Sequence, residues 1–237
     1  MSASQPAQRV GRAQVMRRLL AHYDQPRYLE IGVCEGRTFD RVHAPVKVAV
    51  DPEFRFDHEA RREPGTTYHQ VTSDEYFGRI VDPAARFDVI FLDGLHTVEQ
   101  TLRDLLNALP HLQPQGVIVV DDVRPPTELA SIRDRQEFFD VRGAAGRDDE
   151  KAWMGDVFRL VWFIDTFCQQ LSQRVIANNH GQAVVWRKRR EQVTDRLLAE
   201  VGELPFGTID VEPEVMRAAP FGEIVRELRR DLGLAKP

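Results

Sequence analysis

Five short apolar runs, Tyr28–Ile31, Val46–Val50, Tyr68–Val71, Phe87–Leu92 and Val117–Val120, punctuate the first half of the chain, with polar, helix-like segments between them. Runs this short and rich in Val and Ile suit strands buried on both faces of a parallel sheet, which has no polar side to alternate with. Over Thr97–Leu109, Val98, Leu102, Leu105, Leu106 and Leu109 recur at helical spacing, and Pro110 ends that helix. Upstream, Val15, Met16, Leu19, Leu20 and Tyr23 share one stripe and predict a helix over residues 9–23 behind a disordered lead. Val157–Leu171 is a further helix candidate, apolar over most of its circumference. Gln173–Ile176 and Ala183–Trp186 flank Asn178-Asn179-His180-Gly181, a sequence suited to a hairpin turn. The expected fold is therefore α/β: a mostly parallel seven-stranded sheet, closed by a C-terminal antiparallel hairpin, with helices on both faces.

With 237 residues and 42% hydrophobic content, the chain can bury the core of one such domain with additions at its ends. The expected division is a lead and helix over 1–26, the α/β domain over 27–187 and a helical appendage over 188–237. The last segment is charged and interrupted by Pro205, Pro213 and Pro220. Arg142–Lys151, with Gly, Ala and charged residues, reads as a loop, and Arg187–Arg190 as a solvated helix start. A formal net charge of -5 gives no general pull toward nucleic acid or an anionic membrane. Neither end carries an apolar targeting core and no run approaches the roughly 20 residues that cross a bilayer, so a soluble, cytoplasmic protein is expected. Cys34 and Cys168 form no metal spacing and no disulfide framework.

In Tyr28-Leu29-Glu30-Ile31-Gly32-Val33-Cys34-Glu35-Gly36 a strand runs into a turn with glycines four residues apart. Such a turn lets backbone approach a ligand closely, although tight packing alone gives the same pattern. Asp51 ends the second run, about twenty residues after Glu30, where a carboxylate can accept both ribose hydroxyls. Thr72-Ser73-Asp74 follows the third run and offers short polar side chains to an adenine edge, and Asp93 ends the fourth. In an open parallel sheet these carboxyl ends line one crevice. A nicotinamide dinucleotide would need Gly-x-Gly-x-x-Gly, which Gly32–Gly36 lacks. Glu30 and Glu35 would repel its diphosphate and suit a cationic ligand.

On these residues the chain resembles the class I S-adenosylmethionine-dependent methyltransferases over residues 27–187, which implies their Rossmann-like fold. The resemblance assigns Glu30, Gly32 and Gly36 to the turn that holds the methionine end, Asp51 to the ribose, Ser73 and Asp74 to adenine, and Thr38 and Asp93 to the same cofactor crevice. Cys34 stands where the commonest pattern has a third glycine, a departure shared with the catechol O-methyltransferase branch.

Asp93-Gly94-Leu95-His96 follows one strand and Asp121-Asp122 the next, with no lysine or arginine among them. Three carboxylates at adjacent strand ends repel unless protonated or bound to a cation, and oxygen ligation favours Mg²⁺. Turn and capping roles explain the same residues equally well. The pattern is similar to that of metal-dependent O-methyltransferases acting on catechols and natural-product sugars. It implies Asp93, Asp121 and Asp122 as metal ligands and His96 as general base. Trp153-Met154-Gly155-Asp156, within Arg142–Arg159, reads either as a lid over the donor or as a surface loop anchored by its tryptophan.

The expected activity is methyl transfer from S-adenosylmethionine to a hydroxyl of a small molecule, Mg²⁺-assisted. The alternatives are metal-independent O- or N-methylation and a non-catalytic S-adenosylmethionine-binding protein. Nucleic-acid methylation lacks both a basic charge and an aromatic-proline motif. The partner expected is a small-molecule methyl acceptor, with no nucleic acid and no membrane. Both end segments offer substrate walls or the contacts of a homo-oligomer.

Overall fold

The structure, a computed structural model, describes residues 8–236. Helix α1 (Arg12–Leu20) precedes strands β1 (Arg27–Ile31), β2 (Val46–Val50) and β3 (Thr66–His69). A helical turn α2 (Ser73–Glu75), β4 (Phe87–Leu92), α3 (Val98–Ala108) and β5 (Leu112–Val120) follow. Next come α4 (Arg135–Ala144), α5 (Arg159–Phe167), β6 (Leu171–Val175) and β7 (Ala183–Arg187). Helices α6 (Leu198–Gly202), α7 (Thr208–Val211), α8 (Pro213–Met216) and α9 (Phe221–Leu232) complete the order.

The seven strands form one sheet in the order β3-β2-β1-β4-β5-β7-β6. Strands β1 to β5 pair in parallel, and β7 runs antiparallel between β5 and β6. The expected Rossmann-like methyltransferase architecture is therefore present. Side chains alternate between two cores, as the strand period of two requires. Leu29, Ile31, Ile90, Leu92, Ile118 and Val120 face one core with residues of α3 and α5. Tyr28, Val89, Phe91, Val117 and Val119 face the other, with residues of α1 and α9.

Several boundaries differ from expectation. Helix α1 is confined to Arg12–Leu20, since the chain turns before Pro26, with Gln25 at φ 47. Strand β3 begins two residues earlier than the Tyr68–Val71 run, because Thr66 pairs with Lys47 and Val71 lies past the last rung. Strand β5 extends back to Leu112, and the Val157–Leu171 helix shrinks to Arg159–Phe167 as Leu171 opens β6. Helix α4 occupies the first residues of the expected Arg142–Lys151 loop. Its N-cap is Asp134, whose carboxylate accepts from the Glu137 amide.

The expectation of a solvated start at Arg187–Arg190 holds for the exposed Lys188 and Arg189 but not for Arg187 and Arg190. Arg187 donates to the carbonyls of Leu109, Leu112 and Gln113, while Arg190 is buried and pairs with Asp165. These guanidiniums tie the strand end to the helix layer, a geometry that the planar five-donor group suits. Helix α9, beyond them, buries Phe221, Ile224, Leu228 and Leu232 against the sheet. Among the described residues no helix is long and apolar enough to cross a membrane.

Candidate active site

Register aligns the strand tips. Ile31 pairs with Val50 on one side and Leu92 on the other, and Leu92 pairs with Val120. The next residues, Asp51, Gly32, Asp93 and Asp121, therefore stand in one row across the carboxyl edge. Ladder bonds continue one step further: Gly32 donates to Val50, Asp93 to Ile31 and Asp121 to Leu92. This is where ligands bind in open α/β sheets.

At the centre of the row, Gly32 has φ +85, and a Cβ there would stand 1.8 Å from the Asp93 carbonyl oxygen. Only glycine lets the two tips meet. Cys34, at φ 50, holds a left-handed conformation in the same turn, and its amide donates to Asp51 Oδ2 at 2.7 Å. Asp51 Oδ1 accepts from the Glu53 amide at 2.8 Å, so this carboxylate braces the turn. Gly36 has φ +77 and lies over Asp40 and Phe56, and Thr38 leads into the 3-10 turn Phe39–Arg41. Glu30 is buried beneath the turn and accepts from the Tyr28 hydroxyl at 2.6 Å. Burial pushes its carboxyl up to about 8; the Tyr28 hydroxyl opposes the shift and Asp93 adds to it.

Ser73 and Asp74 open α2 beside this row. Gln100 of α3 donates to Ser73 Oγ and to Asp74 Oδ1, each at 3.2 Å, and to the buried Asp104 at 3.0 Å. Asp74 also pairs with Arg103 at 2.8 Å. Gln100 and Asp104 lay within a helix already explained by its apolar stripe, so sequence gave no reason to single them out.

On the other side of Gly32, His96 Nε2 lies 3.2 Å from Asp122 Oδ2 and 3.6 Å from Asp93 Oδ1. Its Nδ1 meets the Trp153 carbonyl at 3.1 Å, and the two rings stack with centroids 4.9 Å apart. Burial disfavours the imidazolium, but the Asp93 hydrogen bond and the charges of Asp122 and Asp93 outweigh it, raising His96 to about 9. Burial likewise raises Asp93 and Asp122, each reinforced by the Asp121 charge. Asp122 sits at φ 59, and its Oδ2 is buried without a hydrogen-bond partner.

Segment 153–156 clamps the His96 turn. A Cβ on Gly155 would stand 1.8 Å from the His96 carbonyl oxygen, and Asp156 Oδ1 accepts the Val98 amide that opens α3. The Trp153 indole is itself held by the Ile132 carbonyl at 2.7 Å. The segment is thus packed against the histidine in this structure.

The acid cluster departs from expectation in two ways. Arg12, remote in sequence, pairs with Asp121, and its Nη2 lies 3.6 Å from Asp122 Oδ1. His180, in the hairpin turn, reaches Asp121 Oδ1 at 2.7 Å. Among the described residues, the acidic and imidazole groups close enough to share a cation are Asp93–His96–Asp122 and Asp121–Asp122–His180. The expected set Asp93–Asp121–Asp122 is not drawn together, because Asp121 turns to Arg12 and His180.

Residues 29–123 match the family described as a methyltransferase domain. The match covers part of the chain, and with the seven-stranded sheet it makes the chain similar to the class I S-adenosylmethionine-dependent methyltransferases. Among solved structures, it is similar to an O-methyltransferase from Bacillus cereus in complex with SAH, with TM-score 0.52 and 16% identity over 77% of this chain and 84% of that one. The O-methyltransferase TomG from Streptomyces achromogenes, with SAM, gives TM-score 0.48 and 18% identity over 73% of this chain and 78% of that chain. MycE methyltransferase from the mycinamycin pathway, with Mg and SAH, gives 0.46 and 20% over 73% and 48%. No curated protein matches the sequence.

Proposed function

We propose that this protein transfers a methyl group from S-adenosylmethionine to a hydroxyl of a small molecule, a sugar or phenol, with a divalent cation, Mg²⁺, at the acid cluster. One observation carries this: His96 Nε2 faces Asp93 and Asp122 beside the glycine turn, and the buried Asp122 Oδ2 has no hydrogen-bond partner. Buried carboxylates packed this closely repel one another, and a cation offsets that repulsion. The acids suit a cation on this ground, Asp122 lying within reach of Asp93 on one side and of Asp121 on the other.

In this mechanism Glu30, Gly32, Gly36 and Thr38 hold the methionine end of the donor, Asp51 the ribose, and Ser73 and Asp74 the adenine. Asp93, Asp121 and Asp122 would hold Mg²⁺. Bound there, the donor would supply an electrophilic methyl on a sulfonium centre and the cation Lewis acidity toward an acceptor hydroxyl. His96, whose Nε2 faces Asp93 and Asp122, would take the hydroxyl proton at that atom. The Trp153 carbonyl fixes the ring by accepting from Nδ1, and the stacked indole keeps water from that side.

Assay of the purified protein on a panel of hydroxylated acceptors, with EDTA and with Mg²⁺ restored, tests this. Activity is expected to vanish on chelation and return with Mg²⁺; full turnover in EDTA would remove the cation from the mechanism. His96→Ala should lower turnover about 10²–10⁴-fold with donor affinity nearly unchanged.

A further inference from the structure

We propose that Arg12 is a working residue of this site. Its guanidinium is a built-in counter-ion on Asp121 that a divalent cation must displace, so that cation loading is coupled to the side chain that opens α1. The proposal rests on the cation assignment made above.

Both Asp121 oxygens are engaged: Arg12 holds Oδ2 and His180 holds Oδ1. The Asp121 and Asp122 side chains are 1% and 4% exposed, whereas that of Arg12 is 40% exposed. The guanidinium therefore stands between these acids and solvent. Asp122 lies at the hinge of the arrangement, its Oδ1 toward Arg12 and its Oδ2 toward His96. It belongs to both candidate cation groups, while Asp93 and Asp121 share neither. The cluster thus has two halves that meet at Asp122, one holding Arg12, Asp121 and His180 and the other Asp93 and His96.

A divalent ion that gathers Asp93, Asp121 and Asp122 would stand within a few ångströms of the guanidinium. Repulsion between a double and a single positive charge at that range, in a buried site, is large enough to expel the weaker competitor. Expulsion needs little rearrangement of the backbone. The Val10 amide donates to the Asn178 carbonyl and Asn178 Nδ2 donates to the Gln8 carbonyl, while Val10, Val15 and Met16 are buried. The half-exposed Arg12 side chain is free to swing into solvent from this fixed base. The hairpin turn that pins the segment also supplies His180, so one turn orients both partners of Asp121.

The test is Mn²⁺ binding, measured by the EPR signal of the free ion, to the full-length wild-type chain, Arg12→Gln and Arg12→Lys, without donor or acceptor. Arg12→Gln is expected to bind Mn²⁺ about tenfold or more tightly than wild type, because the competing charge is gone. Arg12→Lys should stay near wild type. Equal or weaker binding by Arg12→Gln overturns the displacement while leaving the cation assignment standing. No binding by wild type or variant overturns both. Should Arg12→Gln fail to fold, the Arg12 Nε–H resonance of the wild-type protein gives an independent measure during Mg²⁺ titration. It is expected to shift and exchange faster with water; a resonance unmoved at saturating Mg²⁺ overturns the proposal.

Discussion

Adding S-adenosylmethionine at pH 7 is expected to release close to one proton, with Glu30 as its source. Without a ligand, burial holds the Glu30 carboxyl at about 8, with the Tyr28 hydroxyl on Oε2 and Asp93 near enough to add repulsion. About 0.9 of the carboxyls are then protonated at pH 7. On the proposed assignment the cationic amino and sulfonium groups of the donor would lie over the turn and favour the carboxylate. Donor affinity should accordingly tighten up to about tenfold per pH unit between roughly pH 6 and 8, and level off above. Calorimetry in buffers of different ionisation enthalpy counts the protons directly. Glu30→Gln should release none and lose the pH dependence. Observed heats independent of the buffer, or the same proton count from Glu30→Gln, would falsify this account. The sign for stability follows from the same shift. Unliganded, the folded chain keeps a proton that the unfolded chain gives up near the ordinary Glu pKa. The stabilisation is therefore complete below about pH 4.5 and lost as pH rises through about 8, at up to about 1.4 kcal/mol per pH unit. Glu30→Gln should flatten that stretch of the unfolding profile.

Three further outcomes follow from the packing. Gly155→Ala should cost about 2 kcal/mol or more in denaturant unfolding, because φ +58 and the His96 carbonyl at 1.8 Å both exclude a Cβ. Calorimetry should show donor binding largely retained, since this contact lies on the His96 side of the row. Gly32→Ala meets the Asp93 carbonyl at the same 1.8 Å in the middle of the cofactor edge, so both folding stability and donor affinity should fall. Arg190→Ala strips the buried Asp165 of its main ion-pair partner, leaving Arg217 at 3.0 Å and the Thr194 amide at 3.2 Å. It should lower unfolding free energy by about 3 kcal/mol, and a change under 1 kcal/mol would show that the pair contributes little.

The sequence by itself determined the sheet and the row of strand tips. Short Val- and Ile-rich runs can only be buried between two helix layers, and Gly32, Asp51, Asp93 and Asp121 each end such a run, so the carboxyl edge brings them into line. That inference is local: it needs only strand period, strand end and parallel order. Helix α4 was missed because its apolar face is narrow, with Phe138 its one buried residue, although Asp134 and Glu137 carry a legible cap. Arg187 and Arg190 look like any solvated basic run until the carbonyls and the carboxylate they meet are in place. The acid cluster shows the limit most sharply. Asp93, His96, Asp121 and Asp122 were recognisable from their spacing, but Arg12 and His180 reach Asp121 from opposite ends of the chain. No periodicity connects positions 12, 121 and 180. The packing of α1 and the β6–β7 hairpin over one end of the sheet brings them together, and so decides which carboxylate oxygens remain free for a cation.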